Sequence, residues 1–245
     1  MKLRLLALYP EQMNIYADRG NIVFLQRRCE WRGIDFELAT AGPGDAFDPA
    51  RHDLIYIGGG QDRDQELVAG DMLATKRDSI AAAVDSDAVV LAVCGGYQLL
   101  GRSYQVGGER IAGLGLVDLE TVRDPGPRLI GNVAIESDIG TGSPELIAGF
   151  ENHGGRTQLG PSALPLGRVV RGHGNNGRDG HEGVRHRNLF GTYLHGPLLP
   201  KNFVLADRLI QLALARAEGS ERELSDLDDA FEQAAHRSAR AAAGA

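Results

Sequence analysis

Residues 87–100 read DAVVLAVCGGYQLL, an apolar run followed at once by a cysteine and two glycines. The Val-rich part, residues 88–93, is typical of a strand buried on both faces of a parallel sheet. A helical pattern begins at Tyr97, so the chain turns sharply from strand to helix at Cys94. This arrangement predicts a nucleophile elbow, in which the helix N-terminus favours the thiolate form of Cys94. The stretch by itself fits a small buried core cysteine equally well.

The segments on either side of this stretch alternate between strand-like and helical patterns. Strands are predicted at residues 3–9, 34–39, 53–57 and 88–93, and helices at residues 21–32, with Asn21 as N-cap, and 65–84. Such alternation predicts an α/β fold with a mostly parallel central sheet flanked by helices. Because the carboxyl ends of parallel strands share one edge, the glycine loop at residues 58–60 should lie close to Cys94.

The second half of the chain contains short strand-like runs separated by glycine and proline. Residues 172–183 (GHGNNGRDGHEG) predict an exposed hairpin or mobile loop, and its His and Asp residues lack the spacing of a metal site. Residues 184–194 predict strands that lead to His195, and residues 203–214 predict a helix. We expect one domain over residues 1–215 and a helical extension or tail over residues 216–245.

Composition narrows the class of protein. The chain has 245 residues, a formal net charge of −7 and 42% hydrophobic residues, which is usual for a globular protein and argues against a general nucleic-acid or anionic-membrane binder. We expect no membrane span, because no apolar run approaches the roughly 18 residues that a span needs, and we expect no signal peptide. With only Cys29 and Cys94, a disulfide framework is not indicated, so we expect a cytoplasmic protein in which Cys29 is structural or incidental.

Three separate stretches together suggest acyl-transfer chemistry. A cysteine nucleophile needs a base, and His195 is well placed in GTYLHGP (residues 191–197), at the end of a strand-like run. The backbone N–H groups of Gly95 and Gly59 are candidates for an oxyanion hole, since glycine loops allow N–H groups to face a ligand. Taken singly, each feature also fits a buried core histidine or an ordinary tight turn. Their joint occurrence in one α/β chain favours an active site.

These motifs resemble the signatures of class I glutamine amidotransferases. The resemblance rests on residues 58–60 (GGG), 94–98 (CGGYQ) and 191–197, and residues 151–157 (ENHGGRT) resemble the cobyric acid synthase branch. Residues 9–21 (YPEQMNIYADRGN) are similar to the opening of the GatD family, the glutaminase subunits of lipid II isoglutaminyl synthases. The resemblance extends to about Leu214 and implies the class I glutamine amidotransferase (flavodoxin-like) fold.

The resemblance also implies a reaction and a partner. Cys94 would attack the side-chain amide of L-glutamine, and His195 would act as general acid and base in releasing ammonia and glutamate. Ammonia would pass to a separate MurT-like ligase of the Mur ligase family, which would amidate the D-glutamate α-carboxyl of the lipid II stem peptide. No cofactor is expected in this chain, because it has no phosphate-binding Gly-x-x-x-x-Gly-Lys-Ser/Thr loop, and ATP and any metal would belong to the ligase.

The same resemblance suggests three substrate-binding residues. From composition alone, Arg128 is an ordinary surface arginine, but it lies in the stretch that carries a glutamine-binding arginine in the GatD family. A planar guanidinium can bind the substrate α-carboxylate through two hydrogen bonds. Gln98 and His153 are further candidates for lining the pocket.

One departure from the class I pattern concerns the orientation of His195. Many class I domains carry a glutamate two residues after the histidine, whereas this chain has Pro197 at that position. The cobyric acid synthase branch also lacks that glutamate. A carboxylate of the partner ligase could replace it. Alternatively, Glu151, Asp179 or Glu182 could fold back onto the imidazole.

Two other functions stay open at this point. The chain could serve another amidotransferase pathway, such as cobyrinate amidation or pyridoxal phosphate synthesis. It could also be a regulatory module that keeps the fold without catalysis, although the intact Cys94 and His195 argue against this.

Overall fold

A computed structural model of the protein describes residues 1–15, 18–106 and 108–245. Tyr16 and Ala17, part of the motif at residues 9–21, lie outside the described residues. The helices are α1 (Arg19–Trp31), α2 (Asp62–Asp71), α3 (Arg77–Asp85), α4 (Gly95–Leu99), α5 (Phe203–Glu218) and α6 (Ala230–Ala243). The strands are β1 (Lys2–Leu8), β2 (Asp35–Ala41), β3 (Leu54–Ile57), β4 (Val89–Val93), β5 (Ser103–Val106), β6 (Glu109–Ala112), β7 (Leu119–Arg123), β8 (Leu129–Ser137), β9 (Glu145–His153), β10 (Gly155–Leu159), β11 (Gly167–Arg171), β12 (His181–Glu182), β13 (Val184–His186) and β14 (Leu189–Thr192).

The core is a six-stranded sheet in the order β13-β14-β4-β3-β1-β2. All neighbouring strands are parallel except β13, which runs antiparallel to β14 at one edge. Every residue of β3 and β4 is buried, as their unbroken apolar sequences require. The α/β class and the mostly parallel central sheet are therefore confirmed.

Strand register brings the three chemical motifs to one edge of this sheet. Ile57 of β3 pairs with Ala92 of β4, and Val93 of β4 pairs with Thr192 of β14. The glycine loop, Cys94 and His195 each follow one of these strands. Two smaller four-stranded sheets, β10-β7-β5-β6 and β12-β11-β8-β9, contain the short strands of the second half.

Helix α1 begins earlier than predicted. Asp18 occupies its N-cap position, so the prediction that Asn21 caps the helix is wrong. The side chain of Asn21 is instead fully buried, where it donates to the Tyr56 hydroxyl at 3.0 Å and accepts the Leu199 N–H at 2.8 Å. The side-chain amide of Asn21, which the sequence pattern assigned to a local helix cap, therefore forms hydrogen bonds with residues distant in the chain.

The single helix predicted over residues 65–84 is interrupted in the structure. A π-helical turn at Met72–Lys76 separates α2 from α3. The fully buried Lys76 ammonium donates to Asp71 Oδ2 at 2.7 Å and lies 4.7 Å from the centre of the Tyr9 ring. A buried ammonium needs such partners, and a π turn brings side chains five residues apart onto one face.

Most of the loop over residues 172–183, for which an exposed hairpin or mobile loop was predicted, is exposed, but the loop also contains buried residues. Asn175 is completely buried, and its Oδ1 accepts the Tyr97 hydroxyl at 3.0 Å and the Gly183 N–H at 2.9 Å. Gly174 and Gly183 have positive φ values of 66° and 64°, which glycine adopts without strain. Within the described ranges, no group of three or more His, Cys, Asp or Glu side chains could hold a metal ion.

The C-terminal segment contains the predicted helix, α6, and this helix contacts the rest of the protein. The Ala242 carbonyl accepts from Asn132 at 2.9 Å, and His236 Nδ1 lies 2.7 Å from the Lys201 carbonyl. The domain division at residue 215 stays a prediction. None of the helices in the described part of the chain is long and apolar enough to cross a membrane.

Candidate active site

Cys94 lies at a strained turn between β4 and α4. Its φ and ψ are +49° and −102°, in a region that non-glycine residues rarely adopt. The Cys94 N–H donates to the Thr192 carbonyl at 2.7 Å, which connects the turn to the strand preceding His195. A Cβ atom at Gly96 would lie 2.7 Å from the Ile57 carbonyl oxygen, so this glycine permits close packing of the turn on β3. Cys94 itself is buried, with 8% of its surface exposed.

His195 is completely buried next to Cys94. Its backbone forms an antiparallel bridge with Phe150, with the His195 N–H donating at 2.8 Å. Burial by itself lowers the pKa of His195, but the Cys94 thiolate charge, with its hydrogen bond to the ring, and the nearby Asp18 carboxylate raise it above its ordinary value. The arrangement therefore favours the protonated form of His195.

Asp18 is a site residue that the motif analysis missed. Its Oδ2 lies 3.5 Å from His195 Nδ1, and both side chains are fully buried. The available signal was its position in the polar loop after β1, at the same sheet edge as Cys94. Residues of that loop were used only to identify the family resemblance.

The three carboxylates suggested to fold back onto His195 each have other hydrogen-bond partners in the structure, and their role towards the ring stays a prediction. Glu151 accepts the N–H groups of His173 and Gly174 at 2.7 and 2.9 Å. Asp179 accepts from Asn176 Nδ2 at 2.6 Å and from the His181 N–H at 2.9 Å. Glu182 accepts the Tyr193 N–H at 2.7 Å and the Thr192 hydroxyl at 3.0 Å.

Gly59 contacts His195 in a different way from the one predicted. Its N–H donates to Asp18 Oδ2 at 3.0 Å and its carbonyl accepts the Ile15 N–H at 3.0 Å. A Cβ atom at Gly59 would lie 3.1 Å from His195 Cε1, so glycine is needed for this close approach. As an oxyanion donor, Gly59 would first have to release Asp18. Gly95, the first residue of α4, stays the better candidate for that role.

Gln98 and His153 meet at the ring of Tyr193, two residues before His195. Gln98 Nε2 donates to the Tyr193 hydroxyl at 3.0 Å, and the His153 ring stacks on Tyr193 with a centroid separation of 3.6 Å. The Tyr193 hydroxyl also lies 2.6 Å from Thr157 Oγ1. These contacts hold Gln98 and His153 in one buried cluster beside the site, while direct contact with substrate stays a prediction.

Arg128 lies at the start of the β8–β9 hairpin, next to this cluster. It is exposed, and its guanidinium donates to Asn152 Oδ1 at 2.8 Å and to the Asn152 carbonyl at 2.7 Å. Asn152 directly precedes His153, so the guanidinium is held at the residue before His153 in β9.

We expect Arg128→Lys to raise the KM for glutamine at least about tenfold with little change in kcat, because an ammonium cannot replace a bidentate guanidinium–carboxylate contact. The measurement is steady-state ammonia release at varied glutamine concentration. Arg168→Lys is a matched control, since Arg168 is an exposed arginine paired with Glu136 on a neighbouring strand. An unchanged KM would remove Arg128 from the glutamine site.

Burial of Glu182 makes the stability of the fold depend on pH. Burial raises the pKa of Glu182 to about 8 from 4.5, against the hydrogen bonds from Tyr193 and Thr192 that lower it. The folded state thus binds this proton more tightly than the unfolded chain, so the contribution of Glu182 to stability is full below pH 4.5 and is lost as the pH rises towards 8. We expect Glu182→Gln to gain stability relative to the parent protein across this window. Urea unfolding at several pH values tests this, with exposed Glu136→Gln as control, and a pH-independent difference would contradict it.

Comparison with known proteins agrees with this geometry. Residues 4–203 match the family model for CobB/CobQ-like glutamine amidotransferase domains. The chain is 40% identical over 233 residues to the GatD subunit of the glutamine-hydrolysing lipid II isoglutaminyl synthase of Streptococcus pneumoniae, covering 95% of this chain and 88% of that protein. It is 38% identical over 139 residues to a probable cobyric acid synthase of Methanopyrus kandleri, covering 51% of this chain and 27% of that protein.

Among solved structures, PurLQS from Thermotoga maritima is similar in fold, with a TM-score of 0.61 and 20% sequence identity over 89% of this chain and 100% of that one. The match to the family model covers most of the chain and includes Cys94 and His195. The chain belongs to the family of CobB/CobQ-like glutamine amidotransferase domains.

Proposed function

We propose that this chain is the glutaminase subunit of a lipid II isoglutaminyl synthase. The observation that carries the proposal is the Cys94 elbow beside His195, on neighbouring parallel strands of a chain that matches a GatD subunit over nearly its whole length. The chain would hydrolyse L-glutamine and supply the ammonia to a separate ligase.

The first half-reaction forms a thioester. The Cys94 thiolate attacks the side-chain carbonyl carbon of glutamine, and the N–H of Gly95 stabilises the resulting oxyanion. Since Nδ1 of His195 faces Asp18, Nε2 is the nitrogen that gives a proton to the departing amide nitrogen. The carbon–nitrogen bond breaks, ammonia leaves and a γ-glutamyl thioester remains on Cys94.

The second half-reaction restores the cysteine. His195, now neutral, takes a proton from a water molecule, whose oxygen attacks the thioester carbon. The carbon–sulfur bond breaks, glutamate leaves and the thiolate–imidazolium pair forms again. The sum is glutamine and water converted to glutamate and ammonia.

The acceptor side of the reaction belongs to the partner in this proposal. A MurT-like ligase of the Mur ligase family would use ATP, with any metal it requires, to activate the α-carboxyl of D-glutamate in the lipid II stem peptide. Ammonia would then convert that carboxyl to the amide of D-isoglutamine. Because ATP is a cytoplasmic substrate, we propose the cytoplasm as the site of the reaction.

Cobyrinate amidation is a second candidate, favoured by the similarity to a probable cobyric acid synthase. That relative is much longer, and this chain spans 27% of it. The GatD relative is matched over 88% of its length and is named as a subunit, which supports the first candidate more strongly.

Transfer of labelled nitrogen separates these functions. The purified chain is incubated with amide-¹⁵N-glutamine, the candidate ligase, ATP and lipid II, and mass spectrometry follows the label. We expect ¹⁵N in the stem peptide, and we expect free ammonium to restore amidation when Cys94 is replaced by alanine. Label that enters cobyrinate and not lipid II would favour the second candidate. Absence of glutamine hydrolysis with every ligase would indicate a regulatory module.

A further inference from the structure

We propose that Asp18 is the positioning residue of His195, in place of the glutamate that many class I domains carry two residues after the histidine. The proposal rests on the glutaminase reaction proposed above. Asp18 Oδ2 lies 3.5 Å from His195 Nδ1, the distance of an ion pair, and both side chains are completely buried. An Asp in this position can hold the ring orientation and its tautomer.

One hydrogen bond holds the Asp18 carboxylate, and three more hold the Asp18 backbone. Its Oδ2 accepts the Gly59 N–H at 3.0 Å, and its backbone carbonyl accepts the Tyr56 hydroxyl at 3.0 Å and the Asn21 N–H at 2.9 Å. Its own N–H donates to the Ile15 carbonyl at 3.2 Å. A residue fixed in this way can orient the His195 ring, because Asp18 has little conformational freedom left to lose when its contact with the ring forms.

The packing of Pro197 explains how Asp18, at the N-cap of α1, reaches His195. A Cβ atom at Gly20 would lie 2.7 Å from Pro197 Cγ, so only glycine allows this close packing. One residue further, Asn21 Oδ1 accepts the Leu199 N–H at 2.8 Å. The segment after His195 therefore packs directly on the first turn of α1. The position that carries a glutamate in many class I domains is used here for packing, and the carboxylate comes from the N-cap.

The charges at this point support the assignment. Asp18 Oδ1 is buried and has no hydrogen-bond partner among the described residues, so the carboxylate needs a compensating positive charge. Among the described residues, the charged or titratable groups that act on the ring of His195 include Cys94, Asp18 and Glu182. A protonated His195 ring between Asp18 and the Cys94 thiolate supplies the compensating positive charge to both groups. With a proton on Nδ1 facing Asp18, Nε2 is directed to the proton transfers of the reaction.

The test begins with Asp18→Asn, which keeps the size of the side chain and removes its charge. Loss of the equivalent aspartate lowers kcat about 10⁴-fold in a serine protease, so we expect a fall of about 10²- to 10⁴-fold with little change in the KM for glutamine. We also expect the pH profile for iodoacetamide alkylation of Cys94 to shift to higher pH, because the thiolate loses an imidazolium partner. A Cys29→Ser background ensures that only Cys94 is labelled.

Asp53→Asn is the matched control. Asp53 is equally buried, but it pairs with Arg4 at 2.6 Å and Arg216 at 3.3 Å before β3, at the opposite edge of the sheet. We expect this variant to keep the parent kcat and alkylation profile. If folded Asp18→Asn retains the parent alkylation profile, the proposal is wrong, even if kcat falls. Full recovery of its kcat on addition of the ligase would also overturn it, in favour of a carboxylate from the partner.

A measurement on the unchanged protein keeps the proposal testable if Asp18→Asn does not fold. The ¹⁵N chemical shifts of the His195 ring report which nitrogen carries a proton. We expect a protonated Nδ1 at pH 7, and an unprotonated Nδ1 would overturn the proposal. Neither this experiment nor alkylation requires glutamine hydrolysis, so their outcome is separate from that of the proposed function.

Discussion

Replacing Cys94 with alanine should abolish ammonia release from glutamine while leaving the fold intact. Without the sulfur there is no nucleophile and no thioester, and loss of a nucleophile costs about 10⁶-fold in kcat in a serine protease. The measurement is ammonia release with the ligase present. Circular dichroism and the thermal unfolding midpoint report on the fold.

Cys29→Ser is the control for this substitution. Cys29 is also fully buried, and burial raises the pKa of its thiol to about 12, so it carries no thiolate at neutral pH. We expect this variant to keep the parent kcat in its folded form. Glutaminase activity that persists in Cys94→Ala would rule out the thioester mechanism.

Replacing His195 with glutamine should lower kcat by a similar factor, about 10⁴- to 10⁶-fold. The variant lacks the general acid that protonates the departing ammonia and the base that activates water. It also lacks the positive charge that stabilises the Cys94 thiolate, so alkylation of Cys94 at pH 7 should slow. Single-turnover kinetics and iodoacetamide labelling measure the two effects separately.

Two comparisons make this prediction specific. His236→Gln alters a histidine that contacts the Lys201 carbonyl from α6, and we expect it to leave kcat unchanged. The double variant Cys94→Ala with His195→Gln should be no less active than either single variant, because nucleophile and base act as one unit. Additive losses would mean that His195 acts independently of Cys94.

The chain has no orienting carboxylate at Pro197, and if the partner had to supply one, the isolated subunit would be a poor glutaminase. The structure places Asp18 beside the ring, so that premise no longer holds for the described part of the chain. Completion of the site by the partner stays a prediction, and the ratio of kcat with and without the ligase measures it.

The elbow at Cys94 could be predicted because its parts are consecutive in the chain. A buried strand, a cysteine and two glycines specify a local turn, and the structure has Cys94 at a φ of +49° between β4 and α4. The parallel sheet followed from alternating strands and helices, because crossover connections place the carboxyl ends of the strands at one edge. His195 could be located for the same reason, at the end of the strand that pairs with β4.

Helix limits were less predictable, since they depend on partners distant in sequence. Tyr9 and Asp71 surround the buried Lys76 at the π-helical turn, and Tyr56 and Leu199 use the side chain of Asn21. The spacing of apolar residues carries no information about these contacts. The prediction from spacing therefore joined α2 and α3 into one helix and placed the N-cap of α1 at the wrong residue.

Local sequence determined the candidate nucleophile, its candidate base and the sheet edge at which they meet, because each depends on a strand and the few residues after it. Only the tertiary structure decided which carboxylate faces His195 and that the same carboxylate accepts the Gly59 N–H. Asp18 reaches the ring because Gly20 packs on Pro197, and its carboxylate then takes the Gly59 N–H. Such contacts join residues far apart in the chain, and they exist only once β1, β3, β4 and β14 lie side by side in a single folded core.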